Sequence, residues 1–124
     1  MSQISANLLL DTQTATIRDV VCRGECRQRS AEECADRTHL VFPYRGIYVR
    51  HAGGHDDAVA EANQVLFFNA AESYRVSHPV AGGDASLDIV IDERLLRELA
   101  PREQLSGGRG PAFRRQRLRI DPRA

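Results

Sequence analysis

The chain has 124 residues, 42% of them hydrophobic, a size suited to one packed domain that buries roughly two thirds of its unfolded surface. No apolar run approaches the ~20 residues of a membrane-spanning helix, and the start MSQISANLLL lacks the charged segment and small-residue cleavage site of an export signal, so a cytoplasmic protein without membrane contact is expected. The 17 basic residues, all arginine, balance 17 acidic ones, and overall charge therefore points to no polyanionic partner.

The first strand signal is Thr14 to Cys22, where β-branched and apolar residues keep one polar side. Arg23 to Thr38, RGECRQRSAEECADRT, is too charged for a core strand and too long for an unanchored loop. Leu40 to Phe42 forms a short strand ending at Pro43, which removes a ladder donor. In the next strand Ile47, Val49 and His51 share one face while Tyr48 and Arg50 share the other. Gly53-Gly54 with His55, Asp56 and Asp57 reads as a polar hairpin loop. Val65 to Phe68 is an apolar strand, Asn69 to Ser73 a bend, and Tyr74 to Ser77 a further strand that Pro79 and Gly82-Gly83-Asp84 terminate. Ser86 to Ile91 alternates Leu87, Ile89 and Ile91 with Ser86, Asp88 and Val90.

Asp92 is placed to cap a short helix over Glu93 to Ala100, with Leu95, Leu96 and Leu99 as its stripe, Glu98 following Arg94 at helical spacing, and Pro101 as its stop. Residues 107–124 carry six arginines against Asp121, a net of +5 that leaves the first 106 residues at −5. This tail reads as a solvated linker or as a nucleic-acid contact, the latter requiring a folded surface behind it. Asp121-Pro122 opens a helix that the chain does not continue, as expected of a piece cut from a longer protein or of a frayed terminus. About seven short strands between turn signals favour a closed antiparallel barrel over a βαβ fold.

The run LVFPYRGIYVRHAGG followed by NQVLFFNAAESYRVSHPVAGGD resembles the N-terminal cupin-type sensor domain of AraC-family transcriptional regulators. The resemblance implies a mostly β fold, a cupin-like antiparallel β-barrel (jelly roll) with a short C-terminal helix. It assigns residues 1–106 to the sensor domain and residues 107–124 to a basic tail leading into an interdomain helix. It further implies a small-molecule effector, a homodimer, and DNA contact only through a C-terminal domain with two helix-turn-helix motifs that is absent from this chain.

Catalytic cupins, as this resemblance implies, carry His-x-His and a later Glu after a Gly-led strand, then Pro-x-Gly-x-x-His. Here His51 and His55 are separated by three residues including two glycines, and Tyr74 stands where the last histidine would be, in Asn69-Ala70-Ala71-Glu72-Ser73-Tyr74. The internal metal site is therefore expected to be lost, with no catalytic residues and no enzyme activity. A barrel lumen without its metal suits a small organic ligand, and Tyr48, Arg50, Tyr74 and Arg75 are the candidate contacts, arginine because its fork grips a carboxylate. The plainer alternative is core tyrosines and surface arginines.

Cys22, Cys26 and Cys34 fall within thirteen residues and suit a zinc clamp outside the lumen, with either His39, shortly after, or His78, further on, as the fourth ligand. Inert buried thiols and a redox switch are the competing readings. Three functional classes follow: the sensing or dimerising half of an AraC-family regulator, a stand-alone cupin-fold metal-dependent enzyme or small-molecule-binding protein, and an oligomerisation module without a ligand.

Overall fold

A computed structural model describes residues 4–24, 28–54, 56–105 and 112–120. The strands are β1 (Ile4–Asp11), β2 (Ala15–Cys22), β3 (Glu33–Cys34), β4 (His39–Arg45), β5 (Tyr48–His51), β6 (Ala58–Ala60), β7 (Gln64–Phe68), β8 (Ser73–Ser77), β9 (Asp84–Ile91) and β10 (Arg117–Arg119). One helix, α1 (Glu93–Leu99), and a 3-10 turn (Arg102–Gln104) follow β9. They form a six-stranded sheet in the order β1-β2-β9-β4-β7-β10 and a four-stranded sheet in the order β3-β8-β5-β6, with antiparallel strand pairs throughout. The mostly β, two-sheet barrel with one short helix near the C-terminal part is thus the observed architecture. No described helix is long and apolar enough to cross a membrane.

The two-residue strand period divides the core into two layers. Between the sheets, Val41, Leu66 and Phe68 from one side meet Tyr48, Ala58 and Ala60 from the other, with Tyr74 and Val76 packed against them. The intervening residues of the same strands, Leu40, Phe42, Val65 and Phe67, point to the outer face of the large sheet, where Leu96 of α1, Leu105 and Phe113 cover them. This is why the apolar run over β7 is buried at every position.

Residues 112–120 do not lead away from the barrel as a linker would. Phe113 stacks on Phe67 with centroids 4.1 Å apart, and β10 pairs with β7 through Leu118 opposite Val65. The apolar residues Phe113, Leu118 and Ile120, interleaved with arginines, supply the reason. The helix expected from Asp121-Pro122 lies outside the described residues. In α1, Asp92 occupies the N-cap without a side-chain cap bond, and the helical ion pair is Arg97 to Glu93 at 3.1 Å rather than Arg94 with Glu98.

The long polar segment is held by backbone pairing. Ser30 N–H donates to Val76 O at 2.7 Å, Val76 N–H donates to Ser30 Oγ at 3.0 Å, and β3 then pairs with the start of β8. At one barrel end three backbones cross closely: a Cβ on Gly83 (φ 73°) would overlap Cys22 O, and one on Gly46 (φ 75°) would overlap Gly83 O.

Candidate metal centre

Cys22 ends β2 and lies directly opposite Asp84, the first residue of β9, so their side chains share one face. His78, immediately after β8, reaches them from the other sheet. Its Nε2 stands 3.5 Å from Cys22 Sγ and 3.1 Å from Asp84 Oδ2. Thiol, imidazole and carboxylate donor atoms all lie within 4.8 Å of one another. The close backbone crossing at Gly83 fixes the Cys22–Asp84 side of this group, and Gly24 packs so tightly on the other that a Cβ there would come within 2.8 Å of His78 Cε1.

The chemistry of the three groups suits a cation. Asp84 is 5% exposed, and its Oδ2 is paired with His78 Nε2 at 3.1 Å, so carboxylate and imidazole already face one another away from solvent. Burial raises the Asp84 carboxyl above its ordinary value, and His78 only partly opposes this. Burial also pushes the Cys22 thiol up; the N–H of Gly24, donating to Sγ at 3.3 Å, works against that rise, while Asp84 and Glu33 add to it. A bound divalent ion would reverse both trends by favouring thiolate and carboxylate. Sulfur, nitrogen and oxygen donors in one group match zinc.

The group opens onto a cavity of about 140 Å³ between the sheets, whose walls include Glu33, Tyr48, Phe68, Tyr74, Ser86 and Asp88. The metal candidate therefore belongs to the lumen, which corrects the expectation of a clamp outside it. Of the expected ligands among the described residues, Cys22 and His78 come together, and Asp84 joins them. Cys34 falls outside the group: it pairs with Ser73 at an exposed edge, its sulfur directed to Ala35 O at 3.9 Å. His39 is also apart from it, with Nδ1 bonded to Arg37 O at 2.8 Å and its ring stacked on Phe68. Cys26 and His55 lie outside the described residues.

Tyr48 and Tyr74 line the cavity. Burial holds both phenols in the neutral form, raising Tyr48 far above its ordinary value and Tyr74 up to about 12. The two arginines are engaged elsewhere. Arg50, 2% exposed, donates from Nη1 to Phe67 O and from Nη2 to Gln116 Oε1, each at 2.6 Å, and its guanidinium lies 4.6 Å from the Phe68 centroid. Arg75 donates to Ser30 O at 3.0 Å and lines a separate cleft of about 660 Å³. His51 lines that same cleft, bonded to Ser77 Oγ at 2.8 Å and paired with Asp57 at 2.9 Å.

Asp84 is the site residue that sequence reasoning missed. Its visible signal is the Pro79 and Gly82-Gly83 turn between His78 and Asp84, which returns the chain so that the two residues flank one bend. Cys22, by contrast, is 56 residues from His78, and only the β2–β9 register brings it there.

No family model matches the sequence, and no curated protein matches it. Solved structures do. A cupin superfamily protein from Desulfitobacterium hafniense DCB-2 aligns at 16% identity with a TM-score of 0.54, covering 72% of this chain and 77% of its own. An RmlC-like cupin family protein with a double-stranded β-helix fold from Methanocaldococcus jannaschii aligns at 5% identity and TM-score 0.58, covering 79% and 88%. A cupin-2 domain containing protein from Shewanella frigidimarina NCIMB 400 aligns at 9% identity and TM-score 0.56, covering 71% and 80%. The two sheets therefore form a cupin double-stranded β-helix.

Proposed function

We propose that this cupin-fold chain is a metal-dependent small-molecule-binding protein, in which Cys22, His78 and Asp84 hold a divalent ion, zinc by donor type, at the wall of the barrel cavity. The observation that carries this reading is the convergence of three chemically different donor atoms within 4.8 Å, one of them on a carboxylate that is only 5% exposed. Three protein ligands leave a coordination position for water or for a molecule in the cavity, as in zinc sites that do chemistry. When bound, the metal supplies a Lewis-acidic anchor; the chain supplies aromatic walls and neutral phenols around it.

Elemental analysis of the purified protein, followed by zinc and cobalt titration of metal-stripped protein, tests the site. One metal per chain is expected, with a cobalt–thiolate absorption band that Cys22→Ser removes. Asp84→Asn should weaken zinc by about tenfold or more. Protein that neither retains nor takes up stoichiometric metal overturns the reading.

The finer reading, the effector-sensing half of an AraC-family regulator, is supported by the resemblance of residues 39–84 to such domains. In that scheme the cavity takes the effector, β1 or another edge pairs two copies, and DNA is contacted only by a further C-terminal domain. Loss of specific promoter binding by the chain alone does not distinguish it from a stand-alone cupin; the parent gene's following coding sequence does.

A further inference from the structure

The cavity of about 140 Å³ is small beside the roughly 300–1,000 Å³ of drug-sized sites. Its charged lining, among the described residues, is one-sided: Glu33, Asp84 and Asp88 contribute carboxylates, and the basic groups are His39 and His78. Among the described residues no arginine lines it: Arg50 is committed to Phe67 O and Gln116, and Arg75 faces the other cleft. A carboxylate entering here would meet like charge.

Ser86 supplies an independent observation. It stands on β9 between Asp84 and Asp88, all three on the cavity face by strand alternation. It is 4% exposed, and its Oγ has no hydrogen-bond partner. A buried hydroxyl directed into a cavity without a partner is a vacant polar contact. Phe68, Tyr48 and Tyr74 surround the same space with aromatic surface, the lining that attracts organic cations.

We infer that the cavity binds a small organic cation, a short primary amine in its ammonium form, seated between Asp88 and the aromatic walls with Ser86 Oγ as a further contact. Asp88 is the anchor: its side chain keeps 31% exposure and it lines the cavity, while its nearest basic neighbour, His39 Nε2, is 3.9 Å away. The ammonium donates to the carboxylate and to the hydroxyl oxygen, and its short alkyl body covers the rings. The inference rests on the proposed cavity being a ligand site and not on the metal as its anchor: an ammonium has no lone pair to offer zinc, so it takes the Asp88 end of the cavity. A divalent ion on one thiolate and one carboxylate is formally neutral, so Asp88 and Glu33 still set the sign of the remaining lining.

The test is calorimetric titration of zinc-loaded and metal-stripped protein with n-butylammonium and, as its isosteric opposite, butyrate. Butylammonium is expected to bind and butyrate not to. Asp88→Asn should weaken butylammonium by about tenfold or more while leaving zinc stoichiometry unchanged, and Cys22→Ser should lose zinc yet keep the amine. Ser86→Ala, a smaller change on the same strand, should weaken the amine even where Asp88→Asn alters folding. Butyrate binding as tightly as butylammonium, millimolar butylammonium giving no heat, or both variants retaining full amine affinity overturns the inference. Absent zinc with intact amine selectivity would sink the metal reading alone.

Discussion

The Nε2 of His39 and a carboxylate oxygen of Asp88 stand 3.9 Å apart on the cavity wall, on neighbouring strands β4 and β9. Burial nevertheless holds the Asp88 carboxyl above its ordinary value of 3.8, with His39 and Arg18 reducing the rise. The folded chain therefore binds this proton more tightly than the unfolded chain, and ionising Asp88 costs stability. The contribution of Asp88 to stability should be fully present below the ordinary carboxylate value and should be lost as pH rises through the raised one. Asp84 shifts in the same direction. Urea unfolding of metal-stripped protein across about pH 4 to 7 should show a shallower decline in Asp88→Asn than in the parent chain, with Asp84 leaving a residual slope. Equal slopes would contradict this account.

Much of the barrel was legible because strand alternation and turn residues are local signals. The strands from Ala15 to Cys22 and from Gln64 to Phe68 stand close to where periodicity predicts them. Two features inverted the simple pattern. On β9 the cavity receives the polar row Asp84, Ser86 and Asp88, while Ile91 of the alternate row packs on the outer face under α1. A polar lumen and a second apolar layer make this the stable choice, and neither is encoded in β9 itself. The metal group was half legible: sequence spacing gathers cysteines, but the long-range register selects Cys22 with Asp84 and leaves Cys34 on an edge.

Arg50 ties three elements together, joining β5 to the carbonyl of Phe67 on β7 and to Gln116 just before β10, with Phe68 against its guanidinium face. Arg50→Met would keep much of the apolar stem yet leave Phe67 O without this donor. A loss of roughly 2–4 kcal/mol is expected, since charge-assisted bonds and stranded buried acceptors carry the larger penalties. Chemical denaturation measures it. Arg50→Met as stable as the parent would mean that the guanidinium holds nothing together.

Ala71 has φ 66°, the one positive φ among the described non-glycine residues. It stands in the bend before β8, where its N–H donates to Ala35 O at 3.0 Å. A left-handed L-residue costs roughly 1–2 kcal/mol, whereas glycine adds unfolded-state freedom of about 0.4–1 kcal/mol. Ala71→Gly should therefore stabilise the fold by about 0.5–1 kcal/mol net. A higher urea midpoint with unchanged slope is the expected signature. Ala71→Val should move the midpoint the other way.

Phe113 stacks on Phe67 at 4.1 Å and sits 8% exposed in the layer formed with Val65 and Leu96. Its backbone is fixed as well: Asn69 Oδ1 accepts from Phe113 N–H at 2.7 Å, and Asn69 Nδ2 donates to Phe113 O at 3.0 Å. Phe113→Ala should cost about 3–5 kcal/mol. A chain ended at residue 106 should lose the same cover and expose Phe67 and Val65, giving a lower melting temperature and stronger binding of a hydrophobic dye. A truncated chain that melts with the parent would show residues 112–120 to be dispensable.

At the opposite sheet edge, β1 hydrogen-bonds to β2 on one side only, and Leu8, Leu9 and Leu10 are 54%, 58% and 45% exposed. An edge strand bearing large apolar side chains is a template for a second strand, and monomers usually blunt such edges with charge or proline. Here the apolar triplet lies beside a register shift between Leu8 and Leu10, so both faces of the strand present leucine. Pairing of β1 with its own copy across a two-fold axis would satisfy the free edge and set the leucines of the two copies side by side on each face. Light scattering should therefore give a dimer for the parent chain, and the double variant Leu8→Lys, Leu10→Lys should be monomeric with its cavity and metal affinity retained. A monomeric parent chain at concentrations of tens of micromolar would remove β1 from consideration as an interface.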